Sequence, residues 1–160
     1  MSENSTLATM LLKSAGIYSD EALSRIASGR AANPGMGLAE AAVKFGGVRE
    51  AEFLAAIGKV LGLEVADIER QNPNPDALQK LPASAVYQYN VLPFRVDATT
   101  LTIVSSNPFD TAAADGLRLI AGLQVKTMLA PKEAVEKAVK KYYGVGAEAI
   151  EKMLEDDRYD

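Results

Sequence analysis

The chain contains no cysteine, no histidine and no tryptophan among its 160 residues. Without cysteine there is no disulfide framework, no thiolate nucleophile and no Cys-based metal centre. Without histidine it lacks the usual general base near neutral pH and the commonest metal ligand, so His-dependent triads and zinc sites are excluded by inventory. No Gly-x-x-x-x-Gly-Lys-Ser/Thr run occurs. No backbone cradle is therefore present to hold β,γ-phosphates, which excludes ATP hydrolysis by this chain. Gly35-Met36-Gly37 begins like a dinucleotide fingerprint, but no strand signal precedes it and the third glycine is missing, so it reads as a helix connection. The apolar runs are too short to span a bilayer, and the start Met1-Ser2-Glu3-Asn4-Ser5 lacks the layout of a secretory signal. The expectation is a soluble, cytoplasmic chain with no direct membrane insertion.

The net charge of -4 is unevenly placed. Residues 1–62 carry six acidic and six basic side chains, residues 63–145 nine of each, and residues 146–160 six acidic against two basic. A balanced body has no basic stripe from which nucleic acid could displace counterions, and 6% aromatics without tryptophan give few stacking platforms. No nucleic acid partner is expected.

The first half reads as helical. Phe53, Leu54, Ile57, Val60 and Leu61 form one stripe along a helix from about Arg49, and weaker stripes fall at Leu7, Met10 and Leu11, at Leu23 and Ile26, and at Leu38, Ala42 and Phe45. Breaks are expected at Gly16, from Gly29 through Gly37, and at Gly46-Gly47. Such short helices are marginal alone, so a packed helical subdomain is expected over residues 1–62. Gln71-Asn72-Pro73-Asn74-Pro75 cannot continue a helix, and a linker is expected over 63–75.

Beyond it the pattern changes to short helices around Leu78 and Val86, then strands at Val91–Asp97 and Thr100–Ser105. Leu92, Phe94 and Val96 would share one face, and Pro93 places the first strand at an edge or gives it an irregular start. The two residues Ala98-Thr99 fit a hairpin turn without its usual Asn-Gly or Asp-Gly signal. Asp110 is placed to cap a helix carrying Leu117, Ile120 and Ala121, which Gly122 ends. A strand over Leu123–Leu129 follows, then a helix with Pro131 near its first position and Ala134, Val135, Ala138, Val139 and Tyr142 inward. The strand-helix-strand passage from Leu101 to Leu129 is long enough for a crossover, so part of the sheet is expected to be parallel. The fold class is α+β: a small helical subdomain followed, over 76–144, by an α/β subdomain with a three-stranded sheet packed by helices. Residues 145–160 read as an acidic tail.

Candidate chemistry is sparse. Asp110 and Asp115 could suggest acid-base work, but a helix cap and a solvated face explain them without a concave apolar surround. Glu155-Asp156-Asp157 could attract a divalent ion, yet near a chain end it reads as a solvated segment. No catalytic residue, metal or cofactor is expected.

Leu92-Pro93, Asn107-Pro108-Phe109-Asp110, Gly122-Leu123-Gln124-Val125, Leu129-Ala130-Pro131 and Tyr142-Tyr143-Gly144 occur in one order. In that order they resemble the N-terminal domain of the secretion and pilus-assembly ATPases, the GspE/PilB/MshE family. The resemblance implies a non-catalytic adaptor of type II secretion or type IV pilus assembly, joining the ATPase motor, in cis or in trans, to the cytoplasmic part of a GspL-type or PilM-type inner-membrane protein. It implies a location peripheral to the inner membrane through such partners, with residues 145–160 as a connector toward the motor. In the family the N-terminal region supplies the platform contact, which points to the face around Arg49, Glu50 and Glu52. Some members bind cyclic di-GMP through a twice-repeated pattern of Arg-Leu-Gly and a later Gln. Here Gly46, Val48, Leu54, Ile57 and Leu61-Gly62 fit its second copy, but Gly37, Ala39 and Val60 replace Arg, Gly and Gln. In the first copy Leu7, Thr9 and Arg30 do so. Leu38, Gly46, Leu54 and Gly62 therefore read as structural, because neither glycine nor leucine supplies the charged planar bonds that phosphate and guanine need.

Overall fold

The computed structural model describes residues 3–144, and the tail expected over 145–160, with Glu155-Asp156-Asp157, lies outside the described residues. The chain runs through α1 (Glu3–Ser14), α2 (Asp20–Ala32), α3 (Leu38–Gly46), α4 (Glu50–Leu61), α5 (Pro75–Leu78) and α6 (Ala83–Tyr89). It continues through β1 (Val91–Val96), β2 (Thr100–Ser105), α7 (Thr111–Ala121), β3 (Gln124–Leu129), α8 (Lys132–Val139) and a π-helical turn, Lys140–Gly144. These elements group into two compact units. One holds the chain up to Val65 together with Asn107–Asp110, the other Ala66–Ser106 and the chain from Thr111 onward. The fold is α+β, as the residue pattern implies.

The helical unit is built from short helices with distinct punctuation. Ser19 starts α2 by accepting the Ala22 amide at 3.1 Å, and Asp20 and Glu21 in the first turn complement the exposed amides of the helix start. Gly47 and Gly62 take left-handed φ values of +75° and +72° just after α3 and α4, where a side chain would be strained. Leu12, Ala22, Ile26, Ala41, Ala42, Phe53, Leu54 and Ile57 fill the core. Among the described side chains of α1, Leu12 is buried and Met10 is 60% exposed. Gly29 does not break α2. It is buried in the helix, and a Cβ there would overlap the Phe45 ring, so its bareness lets α3 pack closely. Arg25 reinforces the same contact: its Nε donates to the carbonyl of Phe45, near the end of α3, at 3.1 Å.

In the second unit the sheet order is β1-β2-β3, with β1 antiparallel and β3 parallel to β2. The parallel pair is joined through α7, as the length of that passage predicts. Pro93 lies on the edge strand, where a missing donor is tolerated. Between Pro93 and Arg95 the register shifts, leaving Phe94 without a partner on β2. The Phe94 carbonyl accepts the Asn74 amide at 2.8 Å instead. Val91, Leu92, Pro93 and Phe94 are all buried rather than alternating, because α5, α6 and α8 pack on this strand.

The hairpin turn is built by Asp97, whose Oδ1 accepts the amides of Thr99 and Thr100, each at 2.8 Å. An aspartate closing its own turn replaces the missing Asn-Gly signal. On α7 the inward line is Ala113, Leu117 and Ala121, one residue per turn, so Ile120 falls off it and is 46% exposed. Gly122, at φ +70°, ends the helix. The proline-containing segment expected as a linker is held along this unit from Ala66 on. The Ala66 amide donates to Leu129 O at 2.8 Å, Pro73 is buried, and Asn72 accepts from the Tyr142 hydroxyl at 3.3 Å.

The π-helical turn corrects one expectation. Helical spacing points Tyr142 inward, but the wider turn makes Tyr143, five residues after Ala138, continue the buried line of Ala134, Val135, Ala138 and Val139. Its hydroxyl donates to Leu78 O at 2.6 Å. Burial pushes this phenol well above the usual tyrosine range, and likewise raises Tyr18 to about 12.

Two outcomes follow. Helix propensity alone credits G29A with a gain of about 1 kcal/mol, whereas overpacking against Phe45 costs about 1–3 kcal/mol. We expect net destabilisation, read as a lower urea midpoint at unchanged slope. Both raised phenols are neutral when folded, so they leave stability unaffected below the unfolded tyrosine pKa of about 10 and reduce it as pH rises through the folded values. Unfolding curves are expected to coincide from neutral pH to about 10 and to shift downward above it. Y143F should lose about 1 kcal/mol at pH 7 and show a smaller alkaline decline.

Candidate docking surface

The described residues offer no constellation for catalysis. Among them no group of three or more His, Cys, Asp or Glu side chains is placed to hold a metal ion. A shallow depression of about 260 Å³ is lined by Asp76, Gln79, Lys80, Val96, Asp97 and Ala98. Its most promising acid, Asp97, is engaged with its own turn, and the Thr99 and Thr100 amides hold its carboxyl below the usual range. A carboxylate so stabilised is a poor proton shuttle at neutral pH. Asp110 stands immediately before the first residue of α7, the N-cap position, and Asp115 pairs with Arg118 at 2.8 Å on the exposed side. The two carboxylates thus occupy separate structural positions rather than one reacting centre.

What remains is surface. Arg49, Glu50 and Glu52 lie at the start of α4, where Arg49 is the N-cap, its carbonyl accepting the Phe53 amide at 3.0 Å. Arg49 and Glu52 are exposed and Glu50 is half-buried. Acidic residues suit this end of a helix on dipole grounds alone. In the next turn of α4 Phe53 is 1% exposed and meets the Phe109 ring at 6.1 Å and 60°. The start of α4 thus combines charged side chains with an aromatic contact.

The residues of the ordered signature are distributed by structural need. Leu92 is fully buried and Pro93 and Pro108 are buried. Asn107 shapes its loop by accepting the Phe109 amide at 3.1 Å, which turns Phe109 toward Phe53. Leu123 packs on the edge of the core, Tyr143 and Gly144 are buried, and Tyr142 is half-buried. The role of Phe109 was missed by pattern reading, since nothing local marks an aromatic whose partner is distant in sequence. Arg25 was missed for the same reason.

The positions of the two-copy ligand pattern lie on four helices of the helical unit. Gly37 is the exposed N-cap of α3, Ala39 follows in its first turn, and Val60 lies near the end of α4. Leu7 and Thr9 belong to α1, and Arg30 to the last turn of α2.

The chain is 21% identical over 122 residues to the type IV pilus assembly ATPase PilB of Myxococcus xanthus, covering 76% of this chain and 22% of that protein. It is 29% identical over 112 residues to PilB of Thermus thermophilus, covering 67% of this chain and 13% of the relative. Type II secretion system protein E of Xanthomonas campestris pv. campestris is 25% identical over 128 residues, with 78% and 23% covered. The chain thus spans under a quarter of the length of these relatives. A solved structure of MshE with cdg matches at 25% identity and a TM-score of 0.73, over 85% of this chain and 98% of that one. The N-terminal domain of XpsE shares the fold at 24% identity and a TM-score of 0.58, over 89% of this chain and 98% of that one. The MshEN domain model matches residues 61–149, more than half of the chain, and the chain belongs to the MshEN domain family.

Proposed function

We propose that this chain serves as a non-catalytic adaptor between a type II secretion or type IV pilus assembly ATPase and its inner-membrane platform. The carrying observation is that its sequence lacks a phosphate cradle while aligning with a minor part of pilus-assembly and secretion ATPases. The motor is its partner in cis or in trans, and the other partner is the cytoplasmic part of a GspL-type or PilM-type protein. The chain then works at the cytoplasmic side of the inner membrane, held there through partners. Arg49, Glu50 and Glu52 are the proposed contact, because they set charged side chains on the same helix start as the buried Phe53, and rim charges govern orientation and encounter.

The likeness to MshE with cdg favours a second reading, a cyclic di-GMP sensor. Against it stand Gly37, Ala39 and Val60 in one copy of the pattern and Leu7, Thr9 and Arg30 in the other. Each lost charge-assisted bond removes about 1.5–3 kcal/mol.

Charge reversal of Arg49 and Glu52 in the full chain is expected to weaken binding of the purified cytoplasmic platform domain about tenfold, or ~1.4 kcal/mol, by surface plasmon resonance. Unchanged affinity with folding intact would show that the interface lies elsewhere. Calorimetric titration with cyclic di-GMP should give no saturable binding tighter than about ten micromolar. Submicromolar binding would replace the adaptor reading with the sensor.

A further inference from the structure

We propose that the outer edge of β3 is a second docking site, which takes an extended segment of a partner protein carrying an acidic residue opposite Lys126. This site stands apart from the α4 rim and does not depend on it.

The Gln124 and Ala130 amides donate to Thr99 O and Ser105 O, so even-numbered residues of β3 face β2. In a strand the neighbours then point the other way. Val125 and Thr127 therefore turn their N–H and C=O groups outward. Ala66 covers the C-terminal end of that edge by donating to Leu129 O at 2.8 Å. Among the described residues no backbone partner reaches Val125 or Thr127 on that side. Both residues are half-buried, so the edge borders solvent.

The opposite edge of the same sheet is treated differently. On β1, Pro93 removes a donor, the bulge at Phe94 breaks the register, and Asn74 caps the Phe94 carbonyl. Those are the devices that prevent strand addition. β3 has no proline and pairs with β2 in unbroken register over all six residues. One edge is closed and the other is a regular template for another strand.

Charge selects the occupant. A second copy pairing antiparallel with both outward residues engaged sets Val125 opposite Thr127 of the other copy, which brings the two Lys126 side chains directly across from each other. Like charges in that position repel, and an acid there attracts. A different chain with a Glu or Asp at the central position satisfies the same backbone bonds and pairs the exposed lysine.

The test uses the full chain and two synthetic peptides of alternating valine and threonine, one with a central glutamate and one with a central lysine. By NMR titration the glutamate peptide should shift the Val125 and Thr127 amides, and the lysine peptide should bind about fivefold more weakly. K126E should reverse that order. V125P removes an outward donor while leaving the β2–β3 ladder intact, and should abolish binding of both. K126E, a surface charge change, decides the matter if V125P does not fold. The proposal is overturned if neither peptide binds, if K126E leaves the order unchanged, or if the Val125 and Thr127 amides of the free chain are already protected from hydrogen exchange. It is also overturned if raising protein concentration alone shifts these amides and the chain sediments as a dimer, since the edge would then serve a second copy.

Discussion

β2 carries hydrogen bonds on both sides and must be kept dry on its faces, and the second unit is arranged around that demand. Leu101 and Val104 are fully buried, with Ile103 at 1% and Ser105 at 8% exposure. A central strand of this kind cannot satisfy its backbone alone, so it needs one neighbour from a tight hairpin and another from a crossover. Asp97 supplies the first by building its turn, and α7 supplies the second. Helices α5, α6 and α8 lie on β1, α8 reaches β2, and α7 rests on β3. The short helices in turn rely on this surface, since four to eight residues are too few to persist in water.

Several polar side chains of the described residues serve architecture. Ser19 and Asn74 cap helices, Asp97 and Asn107 shape turns, and the Tyr143 hydroxyl ties the last turn to Leu78.

Much of the fold was legible because its signals are local. The extent of β2, the edge position of β1 and the stop at Gly122 follow from strand pattern, a proline and a glycine. The α+β class and the family signature were equally readable. The misreadings share one cause, which is packing between residues remote in sequence. Gly29 reads as a break until Phe45 is seen lying against it. Phe94 reads as one step of an alternation until Asn74 takes its carbonyl. Ile120 shares the apolar character of Leu117 but not its angle to the sheet. As for the candidate surface, Arg49, Glu50 and Glu52 could be named from the chain, but the Phe53–Phe109 pair could not.

The π-helical turn after α8 has a geometric consequence. An extra residue accommodated in one turn rotates everything after it by about 100° relative to a continuous α-helix. Lys140–Gly144 therefore sets which of its own residues face the core. Deleting Lys140 or Lys141 would restore ordinary α-helical phase and place Tyr143 four residues after Ala138, on the same buried line, with every signature residue still present. Tyr143, locked on Leu78, then holds this turn in place. In this fold the spacing of the last turn chooses which ring faces the core, and the hydroxyl of that ring secures it.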